Sequence, residues 1–131
     1  MKNSLIAILM MLSSAHMSAQ KNTMMIRMSE IEIDLNYLQE YNKILKEEAQ
    51  ASVKLEPGVI SIFPMYQKEN STQVRILEIY ASKEAYESHL TTPHFKKYKS
   101  TTLKMVKSLK LTDMSAIDPQ TMHDIFSKLK E

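Results

Sequence analysis

Cysteine and tryptophan are both absent from this chain of 131 residues. Without cysteine there can be no thiol nucleophile, no cysteine-ligated zinc and no iron–sulfur cluster. A domain of this size can exist without disulfides, so the missing cysteines do not conflict with an oxidising compartment. The length suits one domain, and a composition of 44% hydrophobic and 24% charged residues is typical of a globular protein.

Glycine occurs once, at position 58. Loops that bind phosphate need several residues without a Cβ, so that the backbone can approach the anion, and the scarcity of glycine argues against such a loop. Gly58 ends the sequence Glu56-Pro57-Gly58, which predicts a turn. We expect Gly58 to supply a positive φ there, because glycine adopts it without steric cost.

Residues 1–19 have the order of a signal peptide. Lys2 gives a positive start, residues 5–12 form an apolar run too short to span a bilayer, and small residues follow up to Ala19. Cleavage is expected after Ala19, with Ala15 as the alternative site; a buried N-terminal helix is the alternative to a leader. The pattern predicts an exported protein, periplasmic or secreted, without stable membrane insertion once the leader is removed.

The charge balance gives no indication of a nucleic-acid partner. The net charge of +2 falls to +1 when a leader containing Lys2 is removed, and a near-neutral domain lacks the field that attracts a polyanion. A lysine-rich stretch is interpreted as a solvated face, with anion or nucleic-acid binding as the alternative. The stretch comprises Lys96, Lys97, Lys99, Lys104, Lys107 and Lys110. The acidic residues expected to balance it from elsewhere are Glu40, Glu47 and Glu48.

The folded domain is predicted over residues 20–117. Alternating apolar positions predict strands at residues 23–33, 59–67 and 72–81, the last two joined by a polar turn at residues 68–71. Pro64 cannot donate a hydrogen bond to a neighbouring strand, so it predicts a bulge or an edge position. A weak fourth strand is expected at residues 111–117.

Helical periodicity fills the segments between these strands. Asp34 is a good N-cap for a helix over residues 35–52, whose apolar face is Leu38, Tyr41, Leu45 and Ala49. Ser82 caps a short helix over residues 83–90, and Thr92-Pro93 restarts the helix, with proline at its first position. The residues of this second helix that are expected to face the core are Phe95, Tyr98, Thr102, Met105 and Leu109. A C-terminal tail, residues 118–131, is predicted to contain an amphipathic helix at residues 121–130.

The order β-α-β-β-α-β with a tail helix predicts an α+β, ferredoxin-like fold, in which helices cover one face of an antiparallel sheet. The strand at residues 72–81 is apolar on both faces. The uncovered face therefore predicts a homodimer. The alternative is a monomer whose tail helix covers that face.

Four short motifs occur in order: Glu56-Pro57-Gly58, Glu78-Ile79-Tyr80, Ala85 with His89, and Thr92-Pro93-His94-Phe95. Together they resemble the antibiotic biosynthesis monooxygenase (ABM) family of the dimeric α+β barrel superfamily, over roughly residues 24–115. The resemblance implies a homodimer and a cofactor-independent, quinol monooxygenase-like enzyme that acts on a quinol-like or phenolic small molecule. The alternative is a non-catalytic small-molecule-binding or stress-related dimeric module of the same fold.

The chain departs from two branches of that family. The polyketide oxygenases carry a tyrosine at the position of Tyr86, but their tryptophan and asparagine correspond to Tyr80 and Ile76 here. The haem-degrading members use a tryptophan, an asparagine and an iron-ligating histidine. This chain has no tryptophan, and its histidines fall a few positions before the ligand site, so no haem and no other cofactor is expected.

His89 and His94 are the candidates for chemistry. A neutral imidazole can remove a phenolic proton and leave an electron-rich anion that oxygen can attack, and we predict His89 as this catalytic base. The alternative is that each histidine satisfies a structural partner. The two are five positions apart and separated by Pro93, which is not the four-residue step of a zinc-binding helix, so no metal is expected.

The predicted substrate-binding residues are Tyr80, Tyr86, His94, Tyr98 and Glu78. Each tyrosine offers an apolar face and one hydroxyl, which suits a flat aromatic ring. Glu78 shares a strand face with Tyr80 and would be a partly buried carboxylate that needs a partner. The alternatives are core aromatics and a structural ion pair.

Overall fold

The structure, a computed structural model, describes residues 24–130. The predicted leader, residues 1–19, lies outside the described residues and stays a prediction. Within the described range, none of the helices combines the length and the apolar character that a bilayer crossing requires.

Four strands form one antiparallel sheet in the spatial order β2-β3-β1-β4. Their bounds are β1 Met25–Ile33, β2 Val59–Gln67, β3 Asn70–Tyr80 and β4 Val106–Met114. β2 is an edge strand, which confirms one of the two positions predicted from Pro64. The turn between β2 and β3 is two residues long, shorter than predicted.

Helices connect the strands as predicted, and the α+β, ferredoxin-like fold with a C-terminal helix is confirmed. Their bounds are α1 Leu38–Leu55, α2 Lys83–His89, α3 Pro93–Thr102 and α4 Pro119–Lys128. The predicted capping side chains accept the expected backbone N–H groups: Asp34 from Asn36, Ser82 from Ala85, and Thr92 from Phe95. A 3-10 turn, Leu35–Tyr37, precedes α1.

The predicted boundary between α3 and β4 was wrong. α3 ends at Thr102, and β4 begins at Val106, five residues before the predicted strand. Leu109 therefore lies on a strand, where it faces Ile31 of β1, and Leu111 faces Ser29. Leucine and lysine alternate over these positions with the two-residue period of a strand. The hydrogen bonds with β1 favour this strand over a continuation of the helix, which the spacing of Leu109 from Tyr98 had suggested.

The core lies between the sheet and the helices. Tyr41, Leu45 and Ala49 of α1 are buried against the sheet, as predicted. Each fully buried aliphatic side chain contributes about 1.5–3 kcal/mol relative to exposure. The core residues are Ile31, Ile33, Tyr41, Leu45, Ala49, Val59, Ile62, Val74, Ile76, Tyr80 and Met105.

Gly58 has a different structural role from the predicted one, because its φ is not positive. A Cβ at this position would lie 2.6 Å from the Cβ of Ala85 in α2. Such a separation is shorter than van der Waals contact allows. The glycine is needed so that α2 can pack closely on the turn before β2, and this packing brings His89 toward Glu56.

Replacing Gly58 with alanine is expected to lower the free energy of unfolding by about 1–3 kcal/mol, because the new methyl group overpacks the contact with Ala85. Urea denaturation of the two proteins measures the difference. Ala85→Gly removes the opposing methyl group, so the effect of Gly58→Ala should shrink by more than half in that background. A strictly additive double-mutant cycle would contradict the steric explanation.

Candidate active site

A cavity of about 310 Å³ lies between the helix-covered face of the sheet and helices α1, α2 and α3. Five of the six residues predicted for the site line it: Glu78, Tyr80, Tyr86, His89 and Tyr98. His94 is not among the lining residues. Apolar side chains from β4 and α3 close the wall, including Leu109, Leu111 and Phe95.

His89 is the last residue of α2 and is 2% exposed. Its Nδ1 lies 2.9 Å from Oε2 of Glu56, and Nε2 of His94 lies 2.6 Å from the same oxygen. One carboxylate oxygen therefore holds both imidazoles. Pro93 makes this possible, because the break between α2 and α3 turns His94 back toward Glu56, which follows α1 directly.

The charge state of Glu56 decides which nitrogen of His89 carries hydrogen. Burial alone would raise the pKa of this carboxyl, but the hydrogen bonds to His94 and His89 outweigh it and hold the pKa below the ordinary value. Glu56 is therefore an ionised acceptor, and Nδ1 of His89 must donate to it. In the neutral imidazole, Nε2 then carries the lone pair.

Nε2 of His89 points toward Glu48 in the cavity wall. Its distance to Oε1 of Glu48 is 3.6 Å, which is too long for a hydrogen bond. Glu48 is 6% exposed and accepts a hydrogen bond of 2.6 Å from the Ser52 hydroxyl. Burial raises the pKa of Glu48 despite that bond and the nearby His89. Within the described chain, Nε2 of His89 makes no hydrogen bond and is left for a ligand.

The buried tyrosines act as neutral hydroxyls. Tyr80 donates to Oε1 of Glu78 at 2.7 Å, and Ser29 donates to the other oxygen of that carboxylate. The hydroxyls of Tyr41 and Tyr98 share a hydrogen bond of 2.6 Å. Burial raises the pKa of Tyr98 to about 12 and that of Tyr80 above its ordinary range, so neither hydroxyl is a proton acceptor near neutrality.

A cation lies beside Tyr86 at the β1 side of the cavity. The guanidinium of Arg27 is 4.7 Å from the centre of the Tyr86 ring and forms an ion pair of 2.8 Å with Asp113. Arg27 and Lys99 both line the cavity. Each could stabilise an anionic oxygen on a bound ring.

Sequence reasoning missed three charged residues of this cavity, Glu48, Arg27 and Lys99. Glu48 was considered only as one of the acidic residues that balance the lysine-rich stretch, but it is buried. The signal for it is present in the periodicity, because Tyr41, Leu45, Glu48 and Ser52 follow one another at steps of four, three and four, on one helix face. Glu56 was recognised only as part of a turn motif, since its partners lie 33 and 38 positions away.

A larger groove, of about 820 Å³, lies between α1 and the edge strand β2. Its polar residues are Asn42, Lys46, Gln50, Lys54 and Tyr66. It contains neither a carboxylate nor an imidazole. We therefore assign the chemistry to the smaller cavity, where acids, hydroxyls and an imidazole converge.

Comparison with known proteins identifies a family. Residues 24–101 match the model of the family described as antibiotic biosynthesis monooxygenase. No curated protein matches the chain at a significant level.

Solved structures agree with this match. The chain is similar to a "putative antibiotic biosynthesis monooxygenase" from Bacteroides thetaiotaomicron, with 49% identity over 76% of this chain and 94% of that one, and a TM-score of 0.75. A "putative monooxygenase" from Lactobacillus acidophilus has 28% identity over 71% of this chain and 44% of that one, and a TM-score of 0.70. A Caulobacter crescentus protein with 20% identity, coverage of 73% and 92% and a TM-score of 0.69 shares the fold.

Proposed function

Because the chain belongs to the antibiotic biosynthesis monooxygenase family, we propose that it is a cofactor-independent monooxygenase that acts on a small quinol-like or phenolic molecule. At the coarser level, the family supports a monooxygenase or another oxidoreductase. The finer proposal rests on the geometry around His89.

The observation that carries the proposal is the orientation of this imidazole. Glu56 fixes the ring through Nδ1, and Nε2 lies in the cavity wall without a hydrogen bond within the described chain. A carboxylate that orients a histidine in this way also stabilises the imidazolium that forms when the ring takes a proton. His89 is therefore arranged as a general base.

The cavity suits a substrate of one or two rings. Its volume of about 310 Å³ lies at the lower end of the range of roughly 300–1,000 Å³ that is typical of ligand pockets. Tyr86 and Tyr98 offer aromatic faces, and Tyr80 and Phe95 lie 5.5 and 4.8 Å from the His89 ring centre. A multi-ring polyketide would need more room.

In the proposed reaction, the substrate supplies all the electrons that reduce molecular oxygen. His89 removes the phenolic proton, and the resulting anion donates electrons from the ring to molecular oxygen. One oxygen atom forms a new bond to a ring carbon that loses its hydrogen, and the other leaves as water, so the phenol becomes a quinone. Arg27 stabilises negative charge on the ring oxygen or on the oxygen adduct.

His89→Gln keeps a side chain that can contact Glu56 but has no basic nitrogen. We expect the substitution to lower the rate of oxygen uptake by about 10²–10⁴-fold with a quinol or hydroxynaphthalene substrate, the usual contribution of a general base. An oxygen electrode measures this with purified protein, without added metal or flavin.

His123→Gln is the matched control, because His123 lies on α4 with 78% of its side chain exposed. This variant should retain the wild-type rate. Oxygen uptake that is catalysed by the wild type and unchanged in His89→Gln would remove His89 from the role of base.

A second candidate function is a binding module without turnover. It is favoured by one observation: apart from Nε2 of His89, the hydroxyl, carboxylate and imidazole groups of the site already hydrogen-bond to one another within the described chain. The site is thus stable as a structural network before any ligand enters. Saturable binding of a quinol without oxygen uptake would support this function over the first.

We also propose that the protein is a homodimer, paired through the sheet face opposite helices α1, α2 and α3. Phe63, Leu77 and Met28 lie side by side on β2, β3 and β1 on this face. Phe63 is 59% exposed in the single chain. An apolar row of this kind, across three strands, favours burial against a second copy.

Phe63→Glu would place a charge in the middle of that interface and is expected to convert the dimer into a monomer, because a buried unpaired carboxylate is costly. Sedimentation velocity measures the mass. Leu35→Glu is the control, since Leu35 is 71% exposed and lies outside the sheet. A wild-type monomer, or a Phe63→Glu dimer of unchanged affinity, would contradict the assignment.

A further inference from the structure

Glu48, His89 and His94 form a mixed cluster at the back of the cavity. One oxygen of Glu48 and one nitrogen of each histidine lie within 4.8 Å of one another. The three residues come from α1, α2 and α3. The argument from helical spacing against a metal therefore does not apply, because the break at Pro93 brings the two rings together and Glu48 comes from a different part of the chain.

The separation of His89 and Glu48 is informative. Their closest nitrogen and oxygen are 3.6 Å apart, which is too far for a hydrogen bond. Two ligands of one tetrahedral zinc ion, each about 2.1 Å from it, lie roughly 3.4 Å apart. This pair already has nearly the spacing of two atoms that bind the same ion.

Burial distinguishes this cluster from acidic groups on a surface. His89 is 2% and Glu48 is 6% exposed. The ring of His89 is held through Nδ1, and within the described chain its Nε2 makes no hydrogen bond although His89 lines the cavity. A cation between Nε2 and Glu48 would satisfy both groups.

Glu56 supplies the support that a metal site requires. It accepts hydrogen bonds from both rings at one oxygen. Histidines that bind metals usually donate their other N–H to a carboxylate, which fixes the ring and strengthens the remaining nitrogen as a ligand. For His89 that remaining nitrogen is Nε2, and for His94, which donates through Nε2, it is Nδ1.

We propose that Glu48, His89 and His94 bind one divalent transition-metal ion of the zinc type, with Glu56 as the positioning residue. Two imidazoles and one carboxylate suit zinc and its neighbours, and three protein ligands leave a fourth position open toward the cavity. The inference does not depend on the proposed oxygenase. The ion would occupy the lone pair that a base needs, so metal binding and base catalysis by His89 are alternative states of one site.

The test is titration of the metal-free full chain with Zn²⁺ by calorimetry and with Co²⁺ by visible absorption. We expect one ion per chain and the intense absorption bands of tetrahedral Co²⁺. Glu48→Gln and His94→Gln should each weaken Zn²⁺ binding at least tenfold, and Glu56→Gln by about 10–100-fold with unchanged stoichiometry. No cysteine is present to compete for the ion.

His16→Gln and His123→Gln, which replace the two other histidines of the chain, are the controls and should bind as the wild type does. Thermal unfolding checks that each variant is folded. His94 is the most exposed of the three proposed ligands, with 19% of its side chain exposed, so its substitution should disturb the core least. Absence of Zn²⁺ binding would overturn the proposal. So would equal affinity in folded His94→Gln, or loss of affinity in a control instead.

Discussion

Oε2 of Glu56 accepts hydrogen bonds from His89 and His94, and the arrangement of the whole site depends on this one oxygen. It joins the end of α1 to the end of α2 and the start of α3. The close contact of Gly58 with Ala85 brings α2 near enough for these bonds to form. Packing and charge thus act together: the turn sets the distance, and the ionised carboxylate sets the orientation of both rings.

Burial then gives the other polar groups of the cavity different roles. Tyr80 and Tyr98 stay protonated because burial raises the pKa of each phenol, and they can orient a ligand through neutral hydroxyls. Arg27 supplies positive charge from β1. Among the described residues that line the cavity, His89 alone offers a nitrogen lone pair. The site is therefore suited to taking one proton from a bound ring, and its single free nitrogen is also the natural position for a metal ion.

Local patterns predicted most of the fold. Asp34, Ser82 and Thr92 cap helices as their side chains suggest, and apolar periodicity placed Tyr41, Leu45 and Ala49 on the buried face. The start of β4 could not be predicted, because its pairing with β1 is a long-range contact. Glu56 was missed as a site residue for the same reason, since its partners are defined only after three helices pack together. Glu48 differs, because helical periodicity already places it on the buried face of α1.

The account centres on the claim that Glu56 orients His89 with Nε2 unprotonated and facing the cavity. A long-range ¹H–¹⁵N spectrum of the imidazoles tests this directly in the metal-free protein at about pH 8, where a neutral ring is the ordinary state. The account predicts that the neutral ring of His89 is protonated at Nδ1, with Nε2 as the bare nitrogen, and that Glu56→Gln disturbs this preference. A ring protonated at Nε2 would contradict it, because the hydrogen would then point toward Glu48 and leave no lone pair in the cavity.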